Sequence, residues 1–265
     1  MMREVLASLI RLTSLHNLTS IGKQMNQLTE IITLMENREN MYQFLGRIYK
    51  LEVDKTLLDH MSHMHFSKEC SGSESELAEG YQLFEDYFKQ PKIDVLTELA
   101  VDYAAVFLGA GIADGTVAYP YESVYTSPER LIMQDARDKV LALYREKGLD
   151  KDEALDIPED HVGLELEFMA YLCHEAKEAF ILKDWSSVAV SLQIQKEFLE
   201  QHLLNWMSEF CADIQKCAHV DFYKAIGKIT HGYLNLDTLM IQYLSETMVS
   251  SNNEMGIENS TKDAS

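Results

Sequence analysis

The sequence predicts an all-α fold, and three observations carry that expectation. Only 4 prolines and 12 glycines interrupt 265 residues, so long stretches lack the turn residues that a β architecture needs. Apolar residues recur at spacings of three and four rather than alternating. The 13 methionines and the scarcity of β-branched runs favour helix over strand. The expected architecture is a single helical domain of about nine to ten helices. It spans residues 36–248 and is loosely divided in two by a long loop and an acidic connector. A helical arm over residues 1–35 precedes it, and a disordered tail over 249–265 follows.

In the arm, Val5, Leu9 and Leu12 share one face and Leu28, Ile31, Ile32 and Met35 another, with a break at Ser20-Ile21-Gly22. From Glu36 the pattern sharpens: Met41, Phe44, Leu45, Ile48 and Tyr49 form a helical stripe that ends near Val53-Asp54. Thr56–Phe66 reads as a short helix and Ser67–Ser75 as a polar linker. Glu76–Lys89 carries Leu77, Tyr81, Phe84 and Phe88 on one helical face. Pro91 ends that helix, and Ile93–Leu108 turns Leu96, Leu99, Ala100, Tyr103, Val106 and Phe107 inward.

Gly109–Tyr121 holds three glycines and Pro120, the composition of a loop. Ser127-Pro128 has the form of an N-cap with proline at the first helical position, launching a helix to Lys147, where Gly148 stops it. Leu149–Ile157 is the acidic connector. Pro158 opens a helix to Leu182, and Asp184 caps the next, Trp185–Met207. A break among Ser208–Val220 leads to a last helix, Phe222–Ser245, after which the apolar period is lost.

The net charge of −20, from 43 acids and 23 bases, repels nucleic acid and anionic membrane surfaces and attracts basic partners. The cysteines, Cys70, Cys173, Cys211 and Cys217, form no CxxC pair. Reduced thiols in the cytoplasm are the simplest expectation. Arg3 is followed at once by Glu4, and Ser8 interrupts the early apolar run Val5–Ile10, which is not the pattern of a secretory signal. Nothing approaches the ~20 apolar residues of a membrane span.

Metal chemistry has weak support. His60, His63 and His65 stand at i+3 and i+5 with Cys70 beyond, whereas helical ligands prefer i, i+4; solvated histidines are the plainer reading. Cys211, Cys217 and His219 have no ligand spacing either. No metal is expected. There is no GxSxG, and Gly109-Ala110-Gly111 belongs to no phosphate-binding motif.

Two stretches remain. Tyr119-Pro120-Tyr121-Glu122-Ser123-Val124-Tyr125 puts three tyrosines, a proline and an acid on a loop, suited to contact a peptide or, equally, to cover the core beneath. Pro158–Glu165 has proline and acids where a helix N-terminus wants them, yet His161 is a cation out of place there. Glu165, one turn on, is positioned to hold His161 by an i, i+4 contact.

With these residues in view, the chain resembles the TorD/DmsD family, relatives of NarJ, which are cytoplasmic chaperones that mature molybdenum-containing redox enzymes. The family's Glu-Pro-x-Asp-His appears as Ile157-Pro158-Glu159-Asp160-His161, with the leading acid replaced, and continues as Gly163-Leu164-Glu165-Leu166-Glu167-Phe168-Met169. Pro120-Tyr121-Glu122-Ser123-Val124-Tyr125 looks like its second motif. Gln195, Phe198, His202, Leu203 and Trp206 follow a third pattern, and Phe222-Tyr223-Lys224-Ala225 is also similar. The likeness covers residues Glu39 to Leu244.

The resemblance implies a helical protein that is not an enzyme. It would bind the twin-arginine signal peptide and apo form of a molybdopterin oxidoreductase, assist cofactor insertion and withhold the client from the Tat translocon. By family match, Tyr121, Glu122, Ser123, Tyr125, Pro158, Asp160 and His161 form the peptide site; Glu165 is added from helical geometry. Asp160 and Glu122 would face the arginines, and Tyr121 and Tyr125 the apolar part. The resemblance allows a monomer or a domain-swapped dimer hinged at Leu149–Ile157. It implies no cofactor, with GTP binding as an alternative; a metal-dependent hydrolase built on the histidine cluster is the remaining one.

Overall fold

The structure, a computed structural model, describes residues 20–64, 75–110, 117–152 and 154–262. His65 and Cys70, Gly111, most of the expected polar linker and the first part of the arm lie outside the described residues. Among the described residues ten α-helices follow in order: α1 Ser20–Lys50, α2 Lys55–Ser62, α3 Glu76–Lys89, α4 Val95–Phe107, α5 Glu122–Thr126, α6 Asp135–Glu146, α7 Val162–Ile181, α8 Trp185–Phe198, α9 Met207–Cys217 and α10 Asp221–Lys262. A π-helical turn, Leu199–Leu203, follows α8. Among the described residues there is no strand, only a single antiparallel bridge between Tyr121 and His161. The all-α expectation holds.

Helix α7 is the centre. Val162, Leu164, Leu166, Met169, Leu172, Cys173 and Ala176 are all buried, and the helix packs between α1 and α8. Its approach to α1 is set by glycine: a Cβ on Gly163 would lie 2.9 Å from the Gly46 carbonyl oxygen. The second seam, α3 against α10, is built the same way, with a Cβ on Gly232 falling 2.7 Å from the backbone nitrogen of Leu77. Early and late helices therefore interleave around one core, and the connector does not separate two bodies.

Buried polar contacts tie distant segments together. Arg38 on α1 donates Nε to Asp237 Oδ1 of α10 at 2.6 Å and Nη2 to Oδ2 at 2.9 Å. Tyr42 Oη donates to the same Oδ2 at 2.6 Å. Asp102 of α4 accepts from the backbone N–H groups of His219 and Val220, fixing the turn between α9 and α10. Asp54, Ser75, Asp94 and Asp184 each cap a helix start with a side-chain oxygen.

Several element bounds differ from the sequence expectation. The arm boundary at residue 35 falls inside continuous α1, which begins at Ser20, where the sequence placed a break; the residues before it lie outside the described ones. Ile31, Leu34 and Met35 join the same core as Met41 and Leu45, so the second half of the arm is part of the packed helix rather than a separate element. Helix α10 runs on to Lys262, past the Ser245 end and into the stretch expected to be a disordered tail.

Ser127-Pro128 starts no helix. Ser127 ends α5, the backbone turns left-handed at Arg130 (φ 52°) and Met133 (φ 63°), and α6 begins at Asp135. The loop is held there by Ser123 Oγ, which accepts from the Gln134 N–H. Pro158 likewise lies outside α7. Residues 158–161 form a turn, His161 N–H to Pro158 O, because their backbone pairs with the tyrosine segment instead of continuing a helix.

Candidate peptide-binding site

The two stretches singled out from the sequence meet in space. Glu122 N–H donates to Asp160 O at 3.0 Å and Val162 N–H to Pro120 O at 2.9 Å. Asp160 Oδ2 accepts from the Ser123 N–H at 2.9 Å, capping the first turn of α5 across 37 residues of chain. The tyrosine stretch, expected to be a loop, is thereby folded at its end into α5, with Glu122, Ser123 and Val124 buried.

His161 is the N-cap of α7. Its Nδ1 accepts from the Gly163 N–H at 3.0 Å, which places the proton on Nε2. Burial, and then Lys50, lower its pKa to about 3. A neutral imidazole accepting a hydrogen bond is what a helix N-terminus favours, so the apparent misfit of a cation there disappears. The expected contact with Glu165 is not made: both Glu165 carboxyl oxygens are buried without a hydrogen-bond partner.

The carboxylates point inward. Glu122 accepts from His202 Nδ1 at 3.0 Å and from Asn205 Nδ2 at 2.9 Å. Asp160 and Glu165 are fully buried. Burial first, then Glu122 and Asp160, push the Glu165 pKa well above the ordinary carboxyl value; burial raises that of Asp160 as well. Glu122 and Asp160 thus brace the interior rather than face solvent, contrary to the role expected for them. What reaches the surface is aromatic: Tyr121 and Tyr125 are half-buried and Tyr119 is exposed. Tyr125 stacks on Trp206, ring centroids 5.4 Å apart, and Tyr121 meets His161 edge to face. The Arg130 guanidinium lies over the Tyr125 ring, 5.5 Å from its centroid, and the next three residues, Leu131, Ile132 and Met133, stand exposed in succession.

No group of three His, Cys, Asp or Glu side chains suited to a metal ion occurs among the described residues. None of their helices is long and apolar enough to cross a membrane.

The profile of the family described as nitrate reductase delta subunit matches residues 72–212, just over half of the chain. The chain belongs to the nitrate reductase delta subunit family. Its relatives include proteins named chaperone protein TorD. That of Vibrio cholerae serotype O1 (strain ATCC 39541) is 26% identical over 215 residues, covering 78% of this chain and 93% of the relative. That of Vibrio atlanticus is 26% identical over 217 residues, covering 79% and 95%, and that of Shewanella pealeana 24% over 218 residues, covering 78% and 91%. The resemblance drawn from the motifs is upheld: the family model and relatives named as TorD chaperones both match the chain.

Within this family member the third motif is the floor beneath the first two. His202 holds Glu122, Trp206 carries Tyr125 and donates Nε1–H to His202 O at 2.6 Å, and Gln195 donates to Leu172 O at 2.9 Å. None of these was placed in the site from sequence, although the Gln-x-x-Phe-x-x-x-His-Leu-x-x-Trp pattern was visible. Ile157, standing where the family has an acid, packs against the core. Glu159 does not replace that acid: Arg137 Nε binds it at 2.5 Å and Lys151 lies 3.4 Å away. Despite burial, these cations keep its pKa below the ordinary value.

The Glu165 environment makes a pH prediction. A carboxyl whose folded pKa is raised gives up its proton more easily in the unfolded chain. Its contribution to stability is therefore intact below the unfolded value of about 4.3 and is lost as pH rises toward the folded value. Glu165→Gln removes this loss. Urea denaturation of both proteins from pH 5 to 8 should show the variant's advantage widening as pH rises; a constant or shrinking gap would contradict a buried carboxyl beside Glu122 and Asp160.

Proposed function

We propose that this chaperone binds the twin-arginine leader and apo form of a molybdopterin oxidoreductase in the cytoplasm, assists cofactor insertion and delays export until the client has folded. The observation that carries the reading is the clamp between residues 120–122 and 160–162. It unites the two motif segments by backbone pairing and leaves an aromatic face outward. At its edge Asp213 accepts from Tyr125 Oη at 3.3 Å and pairs with Lys216, and Arg130, lying over the Tyr125 ring, is neutralised by Glu209, in a chain of net charge −20. An apolar peptide carrying two guanidinium groups suits such a surface.

In this reading Tyr121, Tyr125 and Pro158 touch the leader, joined by the exposed Leu131-Ile132-Met133. Three consecutive exposed apolar residues are a liability unless they meet a partner. Glu122, Ser123, Asp160, His161 and Glu165 act one layer down, holding the two segments in register.

Calorimetry with a synthetic twin-arginine leader tests this directly. Changing both arginines of the peptide to alanine should weaken binding by about tenfold or more, as loss of charge-assisted contacts does. A leader that binds with undiminished affinity after that change would sink the proposal. Because Asp160 also caps α5, any Asp160→Asn variant needs its stability measured beside its binding.

A further inference from the structure

The inward turn of Glu122 and Asp160 leaves open where a client's guanidinium is received. One cavity answers the chemistry. It measures about 150 Å³ and lies between the C-terminal end of α6, the middle of α7, the end of α8 and the π turn. Its apolar wall includes Phe168 and Phe198, whose ring centroids are 4.9 Å apart, with Leu143 and Ile194 beside them.

Its charge is one-sided. Glu146 and Glu197 line it and both are exposed. Glu146 makes no hydrogen bond or ion pair with a described residue, and the polar contact of Glu197 is with the neutral Gln193 amide, at 2.7 Å. The lysine in the wall, Lys147, is committed to Glu175 at 2.6 Å. Glu146 is also the last residue of α6, where the helix dipole adds negative potential and an acid is disfavoured for stability alone. Behind the wall, His202 holds the buried Glu122. Two of the lining residues, Gln201 and His202, lie on the π turn, a rare conformation that recurs at functional sites.

We infer that this cavity receives an arginine side chain of the client peptide, its aliphatic stem against Phe168 and Phe198 and its guanidinium between Glu146 and Glu197. The inference rests on the leader-binding reading and adds a subsite outside the motif segments. Guanidinium is the fitting cation, being planar, weakly hydrated and able to stack on aromatic rings while donating to two carboxylates. The cavity sits at one end of α6 and the exposed Leu131-Ile132-Met133 knuckle precedes the other. The 12 residues of α6 separate them by about 18 Å, a span that about five or six extended residues cover.

The test is calorimetry of the full chain with a synthetic leader carrying Arg-Arg ahead of an apolar run. It is run on wild type, on Glu146→Gln/Glu197→Gln and on a control, Asp59→Asn/Glu178→Gln, which removes equal charge elsewhere on the surface. All four positions are exposed, and melting temperatures confirm folding. The expected result is about tenfold weaker binding in the cavity variant, little change in the control, and no further loss in the cavity variant when one leader arginine becomes alanine. Methyl resonances of Leu143 and Ile194 should shift with the Arg-Arg peptide and stay in place with Ala-Ala. Arginine-dependent binding that ignores the cavity variant overturns this subsite while leaving the leader reading intact. A leader that fails to bind wild type at all overturns both.

Discussion

Asp237→Ala is expected to cost about 3–5 kcal/mol, enough to threaten folding at physiological temperature. The reason is what it leaves behind. Arg38 and Asp237 are both fully buried, joined by two hydrogen bonds of 2.6 and 2.9 Å, with Tyr42 donating to the same carboxylate. Burial works against the Arg38 charge, and Asp237 holds its pKa well above the ordinary guanidinium value. Removing the carboxylate strands a guanidinium in the core and a tyrosine hydroxyl beside it. Replacing both members, Arg38→Met with Asp237→Leu, should recover most of the loss, because the penalty belongs to the unpaired charge rather than to the absence of the pair. Guanidinium chloride denaturation of the three proteins decides it; a single variant as stable as wild type would show that α1 and α10 are not locked by this contact.

Gly163→Ala should destabilise by about 1–3 kcal/mol. Alanine is ordinarily the better helix former, and Gly163 lies in the first turn of α7, so the destabilising sign here comes from packing. The new methyl would lie 2.9 Å from the Gly46 carbonyl oxygen, 2.9 Å from Lys50 Cβ and 3.1 Å from His161 Nδ1. The first is backbone and cannot swing aside, and the last is the cap of α7 itself. Moving it disturbs the Tyr121–His161 clamp, so leader affinity should fall together with stability. Gly227→Ala is the internal control. There the nearest atom is Gln215 Nε2 at 3.1 Å, a side-chain end that needs to give by only a few tenths of an ångström while keeping its hydrogen bond to Lys224 O, and thermal melting should find that variant close to wild type.

The helices were largely legible because their signals are local. The stripe Met41, Phe44, Leu45, Ile48 and Tyr49 is buried as its spacing requires, and Leu77, Tyr81 and Phe84 likewise. Asp184 caps α8 through the Ser187 N–H, as its position before Trp185 implied. Local rules failed where a distant partner competed for the same groups. Pro158 looked like the first residue of a helix, but the N–H groups and carbonyls around it are taken by residues 120–123, some 40 positions away. Ser127-Pro128 failed similarly, because Ser123 Oγ captures the Gln134 N–H and delays α6.

The candidate site divides along the same line. Composition and motif order pointed to the two segments and to a cationic, partly apolar partner, and both segments do come together. Which side chains face outward was not readable. A carboxylate looks the same in sequence whether it meets solvent or, like Glu122, meets a histidine 80 residues away.

By itself the sequence determined the fold class, the helical faces, the acidic charge and the family likeness, all of which follow from residue type and short spacing. Only the tertiary structure decided that His161 is a neutral cap, that Glu122, Asp160 and Glu165 are buried and that Glu146 and Glu197 are the acids lining an open cavity. Burial and pairing across the chain set those roles, because the energy of a charge depends on its surroundings far more than on its neighbours in sequence.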